Sequence, residues 1–163
     1  MRPTKFEHFL NRAKVTSEMS TCLRRSIGAV IIKDGVEVSS GYVGSPRGLD
    51  HCTERGTCLR EKLEVPSGQR YELCWSVHAE QNAIINAART GVSVVGGEMY
   101  IYSKRHARGI PYDKPCIMCL KMIINAGLVA VYMQEEGIGT KTFQDYDLKR
   151  MLRHEMEVLN GQV

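Results

Sequence analysis

Apolar residues recur with two different periods along this chain, and the places where the period changes mark its elements. Phe6, Phe9, Leu10 and Ala13 return at helical spacing behind Thr4, a good capping residue. This predicts a first helix to about Met19 with its apolar stripe in the core. Residues 27–33 (IGAVIIK) form a β-branched run, Asp34-Gly35 is a hairpin turn signal, and residues 36–40 read as the returning strand. Residues 41–75 hold neither period. They are rich in Gly, Pro, Cys and charge and too long for an idle loop, so they are expected to be functional, metal-bound or both. Helical spacing resumes over residues 78–88 (HAEQNAIINAA) at Ala83, Ile84, Ala87 and Ala88. A Gly96-Gly97 turn, a strand at residues 98–102 and an irregular segment at 103–114 follow. A helix then runs from Pro115 to about Ala126 and ends at Gly127, before a strand at 128–133, a polar Gly-rich turn and a last helix over about 143–159.

The predicted order is α-β-β-α-β-α-β-α. Helices alternating with the later strands imply crossovers on both sheet faces, hence an α/β fold: a three-layer α/β/α sandwich whose mixed sheet opens with a hairpin. At 163 residues and 43% hydrophobic content the chain is expected to bury one core, as a single domain over 1–163. It shows no internal repeat or low-complexity tract. No segment approaches the roughly 20 apolar residues of a membrane span, and the start lacks a signal peptide's apolar stretch, so a cytoplasmic enzyme with no membrane partner is expected. The net charge of +4 is mild, and Lys and Arg are interleaved with acids. That argues against a polynucleotide partner while leaving a phosphorylated small molecule unrepelled.

Candidate chemistry sits in two short motifs, His78-Ala79-Glu80 and Pro115-Cys116-Ile117-Met118-Cys119. Alone, the first reads as a helix start with an exposed acid, and the second as a metal or redox pair. Together they supply three metal ligands and one unligated carboxylate, the inventory of an open catalytic zinc site rather than a closed structural one. Residues two apart point about 200° apart on a helix, so His78 and Glu80 share a site only if His78 lies in the cap. Cys116 and Cys119 are three apart, one face of a first turn, and Pro115 suits the first helical position. Two helix N-termini, which favour thiolate over thiol, are thus expected to converge on one metal. The remaining cysteines, Cys22, Cys52, Cys58 and Cys74, match in number the ligands of a closed structural zinc. Ordinary reduced thiols, or a site in which His51 replaces one of them, are the alternatives.

H-x-E followed by P-C-x-x-C resembles the signature of zinc-dependent cytidine and nucleotide deaminases. In such enzymes water made nucleophilic by the metal attacks C4 of cytosine, and the glutamate, here Glu80, moves protons to N3 and to the departing ammonia. Over residues 21–133 the chain looks most like the deoxycytidylate (dCMP) deaminase family. The matches are Gly28-Ala29-Val30-Ile31, the loop Gly41-Tyr42-Val43-Gly44-Ser45-Pro46-Arg47-Gly48, which is similar to a GYNGxPxG pattern, and Ile123-Ile124-Asn125-Ala126-Gly127. The resemblance implies conversion of dCMP to dUMP by a homohexamer, activated by dCTP with Mg²⁺ and inhibited by dTTP. It places effector binding at Gly41, Tyr42, Gly44, Ser45, Pro46, Arg47 and Gly48, and second-zinc ligands at Cys22 and Cys52. Val43 stands where the family commonly has asparagine, removing an amide that could hydrogen-bond a nucleotide. The backbone of Ala79 would hold the pyrimidine. Arg24 is the preferred phosphate reader, with Arg25 and Arg47 as substitutes and an ordinary surface arginine as the plain alternative. Lys104, Arg105, His106 and Arg108 lie in a segment longer than in many relatives and read as a solvated loop, with contact to a phosphate as the alternative.

Rival readings differ in what they require. A tRNA adenosine deaminase should show a strongly basic surface, which +4 does not supply. A free cytidine deaminase normally carries Cys-Ala-Glu where this chain has His78. A polynucleotide cytidine deaminase needs stacking platforms that 7% aromatic content does not promise. Another nucleotide deaminase, including one acting on dCTP, is a further alternative. A non-catalytic, zinc-stabilised interaction module has no need of Glu80.

Overall fold

A computed structural model describes residues 1–106 and 110–161. Helix α1 (Lys5–Ser17) begins at Thr4, whose side chain accepts from the Glu7 backbone N–H while the Glu7 carboxylate takes the Thr4 N–H at 2.8 Å. Strands β1 (Arg25–Lys33) and β2 (Val36–Tyr42) form the expected hairpin. Both turn residues, Asp34 and Gly35, have positive φ, as a two-residue hairpin turn requires. After the segment bearing short helices α2 (Cys52–Arg55) and α3 (Leu59–Lys62) and a 3₁₀ turn at Tyr71–Leu73 come α4 (Ala79–Thr90), β3 (Glu98–Arg105), α5 (Ile117–Asn125) and β4 (Ala130–Glu135). Strand β5 (Gly139–Gln144) and α6 (Asp145–Leu159) close the chain.

The sheet runs β2-β1-β3-β4-β5, antiparallel except for the β3/β4 pair, which α5 connects. Period-two alternation divides the strand side chains between two helical layers. Val30, Ile32, Tyr100 and Tyr102 face α1 and pack with Phe9, Leu10 and Ala13. Ala29, Ile31, Met99, Ile101, Val131 and Met133 face the other way, onto Ala83 and Ala87 of α4 and Leu120 and Ile123 of α5. The sandwich is therefore three-layered and mixed, as expected. Strand β5 departs from expectation. Its sequence GTKTFQ is almost wholly exposed, so no alternating pattern marks it, and it exists because its backbone pairs with β4. Phe143 consequently lies in β5, and α6 starts two residues later than Phe143.

Helix α4 lies unusually close to the hairpin. A Cβ on Gly41 would stand 2.3 Å from the Ala83 nitrogen and 2.7 Å from the Ala79 oxygen. Polar side chains then fasten the two: Asn82 donates to the Tyr42 carbonyl at 2.8 Å, Asn86 to the Ser40 carbonyl at 2.7 Å, and the Ser39 hydroxyl to the Ala83 carbonyl at 2.6 Å. The stretch just before α4 is held too, since Val77 and Gly44 exchange backbone hydrogen bonds at 2.8 and 3.2 Å.

Candidate active site

His78 is the N-cap of α4, with extended backbone, and its N–H donates to the Gln81 side chain at 3.0 Å. Cys116 is likewise the N-cap of α5, with Cys119 three residues inside. Pro115 therefore precedes the cap instead of occupying the first helical position. This places the Cys116 side chain where a capping oxygen would stand, directed at the third residue of the helix. His78 Nδ1 lies 3.5 Å from Cys116 Sγ and 3.4 Å from Cys119 Sγ. Bond lengths of about 2.3 Å to sulfur and 2.0–2.1 Å to nitrogen around a tetrahedral zinc place N and S about 3.5 Å apart, so the donor set fits that metal.

Electrostatics suit the same assignment. A hydrogen bond from the Cys119 thiol, assisted by His78, brings the Cys116 thiol down to about 4. That bond and burial raise Cys119 well above its ordinary value. Burial alone would lower His78, but its hydrogen bond with Cys116 and the Glu80 charge leave it raised. Glu80, in the first turn of α4, is 1% exposed, and burial pushes its carboxyl above the usual range. It accepts a hydrogen bond from the Tyr112 hydroxyl.

His78, Glu80, Tyr112 and Cys116 line a cavity of about 220 Å³, with Cys119 buried behind them. Buried Val43 also lines it, and buried Ala79 sits beside it at the start of α4. Arg24 reaches the cavity but pairs with Glu61 at 3.1 Å, and Arg25 pairs with Glu135 at 3.4 Å. Arg47 bonds Asn86 at 2.6 Å and does not line the cavity. Arg60 was not signalled by the sequence, because it sits in a short charged stretch indistinguishable from a solvated face. It is 6% exposed, stacks 4.6 Å over the Tyr71 ring and donates to the Pro66 and Gln69 carbonyls. Its Nε has no partner, and no carboxylate pairs with it among the described residues. Tyr71 in turn meets His78 edge-on at 5.0 Å.

Cys22, Cys52, Cys58 and Cys74 all line this cavity as free thiols. Among the described residues, only His78, Cys116 and Cys119 bring three potential ligand atoms within 4.8 Å of one another. Closing the other four on one ion takes side-chain movement. His51 is the N-cap of α2, with its Nδ1 buried and without a partner among the described residues. Of the loop residues, Gly41 and Tyr42 face α4 as described, Ser45 Oγ is buried without a partner among the described residues, Pro46 accepts from the Leu49 N–H, and Gly48 has positive φ. Lys104 and Arg105 belong to β3, paired with Glu136 at 3.2 Å and Glu135 at 2.7 Å, and His106 Nε2 lies 2.7 Å from Ser26 Oγ. Lys104 and Arg105 are therefore strand residues, whereas His106 is exposed in a bend just beyond β3. Arg108 lies outside the described residues.

An α/β/α sandwich that brings a histidine and two cysteines together at two helix N-termini, beside a buried glutamate, defines a protein of the cytidine deaminase-like fold with a zinc donor set. Residues 3–135 match the cytidine and deoxycytidylate deaminase zinc-binding region, and the chain belongs to that family. It is 32% identical over 130 residues to ComE operon protein 2 of Bacillus subtilis, covering 80% of this chain and 59% of that protein. It is 31% identical over 141 residues to the deoxycytidylate deaminase of Mycobacterium phage D29, covering 83% of this chain and 98% of that one. The structure of dCMP deaminase from cyanophage S-TIM5 in complex with dCMP and dUMP superposes with a TM-score of 0.60 at 26% identity, over 94% of this chain and 93% of that chain. The chain spans 59%, 37% and 42% of the length of three of its curated relatives.

Proposed function

We propose that this protein hydrolytically deaminates dCMP to dUMP. The observation that carries the reading is Glu80, a carboxylate 1% exposed beside the His78, Cys116 and Cys119 donors at a cavity that also holds an arginine with no acid partner among the described residues. Deoxycytidylate deaminases among the relatives support the substrate.

When bound by His78, Cys116 and Cys119, zinc supplies Lewis-acid activation of water near neutral pH. Glu80 accepts the proton that the attacking water gives up and returns it to N3 of the cytosine ring. It then carries the second proton to the amine at C4, so that water and dCMP become dUMP and ammonia. A carboxyl raised by burial is matched to this alternation between base and acid. Val43 lines the cavity that would receive the ring, and the Ala79 backbone would hold the base. Arg60 is the phosphate reader favoured by geometry over Arg24, since Arg24 is already matched by Glu61. A buried guanidinium without a carboxylate is costly unless an anion completes it.

Activation by dCTP with Mg²⁺, inhibition by dTTP through residues 41–48 and a homohexamer rest on the family resemblance. A structural zinc at Cys22, Cys52, Cys58 and Cys74 rests on the number of these thiols and their place around the cavity, with the resemblance adding support for Cys22 and Cys52. A single domain rests on the chain's 163 residues and 43% hydrophobic content, and a cytoplasmic location belongs to the same proposal. The test is ammonia release from dCMP, CMP, deoxycytidine, dCTP and adenosine, with dCMP also assayed in the presence of dCTP or dTTP. Preference for dCMP is expected. Turnover of a different substrate rejects the assignment while keeping the chemistry, and no turnover of any rejects both.

A further inference from the structure

The geometry points to Tyr112 as a positioning residue that fixes the Glu80 carboxylate for proton transfer, itself held in place by Glu135 and Arg25. This rests on the deaminase reading of Glu80.

Tyr112 reaches Glu80 from a different element, the segment between β3 and α5, and its hydroxyl donates to Glu80 Oε1. A carboxylate at a helix start has rotamer freedom, and accepting a proton from water and delivering protons to N3 and then the amine demands that one oxygen stay aimed at the substrate. A donor fixed on one oxygen leaves the other for the reaction. The donor is useful only if it is itself immobile, and here an irregular stretch is pinned at two of its backbone polar groups. The Tyr112 N–H donates to Glu135 Oε2 at 2.5 Å, and Arg25 donates to the Ile110 carbonyl.

Glu135 is 3% exposed at the end of β4, and its Oε1 faces Arg25 at 3.4 Å and Arg105 at 2.7 Å. The Arg25 guanidinium also lies 5.9 Å from the Tyr112 ring centroid. The adjacent ends of β1, β3 and β4 thus contribute one buried acid and two cations to a junction that holds the Tyr112 segment. A tyrosine serving only as packing would need neither the hydroxyl contact nor this junction.

Tyr112→Phe keeps the ring and removes the donor. In the zinc-loaded full chain, kcat for dCMP is expected to fall about 10- to 100-fold, the range of one hydrogen bond to a charged group, with KM within about threefold and zinc content unchanged. Glu135→Gln, which keeps an acceptor for the Tyr112 N–H but loses the charge between the arginines, should lower kcat less, again with KM preserved. An independent readout is urea unfolding of the wild type, Tyr112→Phe, Glu80→Gln and the double variant, where the two substitutions should be non-additive. Wild-type kcat in Tyr112→Phe, a loss that follows zinc content, or additive unfolding shifts each overturn the role of Tyr112 while the deaminase reading stands. A wild type that deaminates none of the tested substrates overturns that reading, and this role with it.

Discussion

Glu80 shows how far a single side chain can be read before its surroundings are known. Its distance of two residues from His78 and the presence of a PCxxC motif mark it as an unligated acid, because each motif is complete within a few residues of sequence and its spacing is recognisable wherever it stands in the chain. Its burial and its partner Tyr112 come from a segment 32 residues away and leave no local trace. Glu80→Gln, which preserves shape and removes the base, is expected to lower kcat on dCMP by about 10²- to 10⁴-fold with zinc per chain unchanged. Metal analysis beside steady-state kinetics checks both halves, and retained turnover sinks the proton-shuttle role. Arg60 was illegible for the same reason as Tyr112: only the fold shows that one arginine in a charged stretch is buried against the cavity. Arg60→Ala should raise KM for dCMP about 10- to 100-fold, the scale of charge-assisted hydrogen bonds, while leaving deoxycytidine turnover unchanged. Equal losses on the nucleotide and the nucleoside would show that Arg60 only supports its loop.

At the scale of elements, the sequence is clearest where one period persists and a cap or turn residue closes it. The α1 stripe behind Thr4, the β1–β2 hairpin at Asp34-Gly35 and the end of α5 at Gly127 were legible for that reason. Strand β5 was not, since a polar edge strand is defined by its neighbour and not by burial of its own side chains. The loop beginning at Gly41 was noticed through its resemblance, yet the structure gives its first residue a mechanical task. With a Cβ at 2.3 Å from the Ala83 nitrogen, Gly41→Ala must push α4 off β2. Overpacking of this kind costs about 1–3 kcal/mol. Because α4 carries both His78 and Glu80 at its start, the variant should unfold at lower urea and also bind zinc more weakly. Gly48→Ala meets no atom within 4 Å, so its penalty is confined to local backbone strain and zinc affinity should hold. Equal zinc affinity in the two variants would separate α4 packing from the metal centre.

For the whole molecule, order is unevenly distributed. The sheet and its helices share two apolar clusters, whereas the stretch from α2 to the 3₁₀ turn contributes few buried apolar groups, with Cys52 and the polar Arg60 among its buried residues. That stretch nevertheless forms one wall of the cavity. Fixing a residue's backbone costs roughly 1–2 kcal/mol, which so little apolar burial does not offset, and a cross-link would. Four thiols around one cavity, with a buried His51 Nδ1 nearby that has no partner among the described residues, are the groups available for it. The expected outcome is two zinc ions per chain in the purified protein, falling to one in Cys52→Ser. That variant should keep zinc at His78, Cys116 and Cys119, unfold at lower urea, and be cut faster by trypsin at the arginines and lysines of residues 55–70. A wild type with a single zinc, unchanged in Cys52→Ser, would mean that the cavity wall is held by Arg60 and its carbonyl contacts, and that these four cysteines are simply reduced thiols.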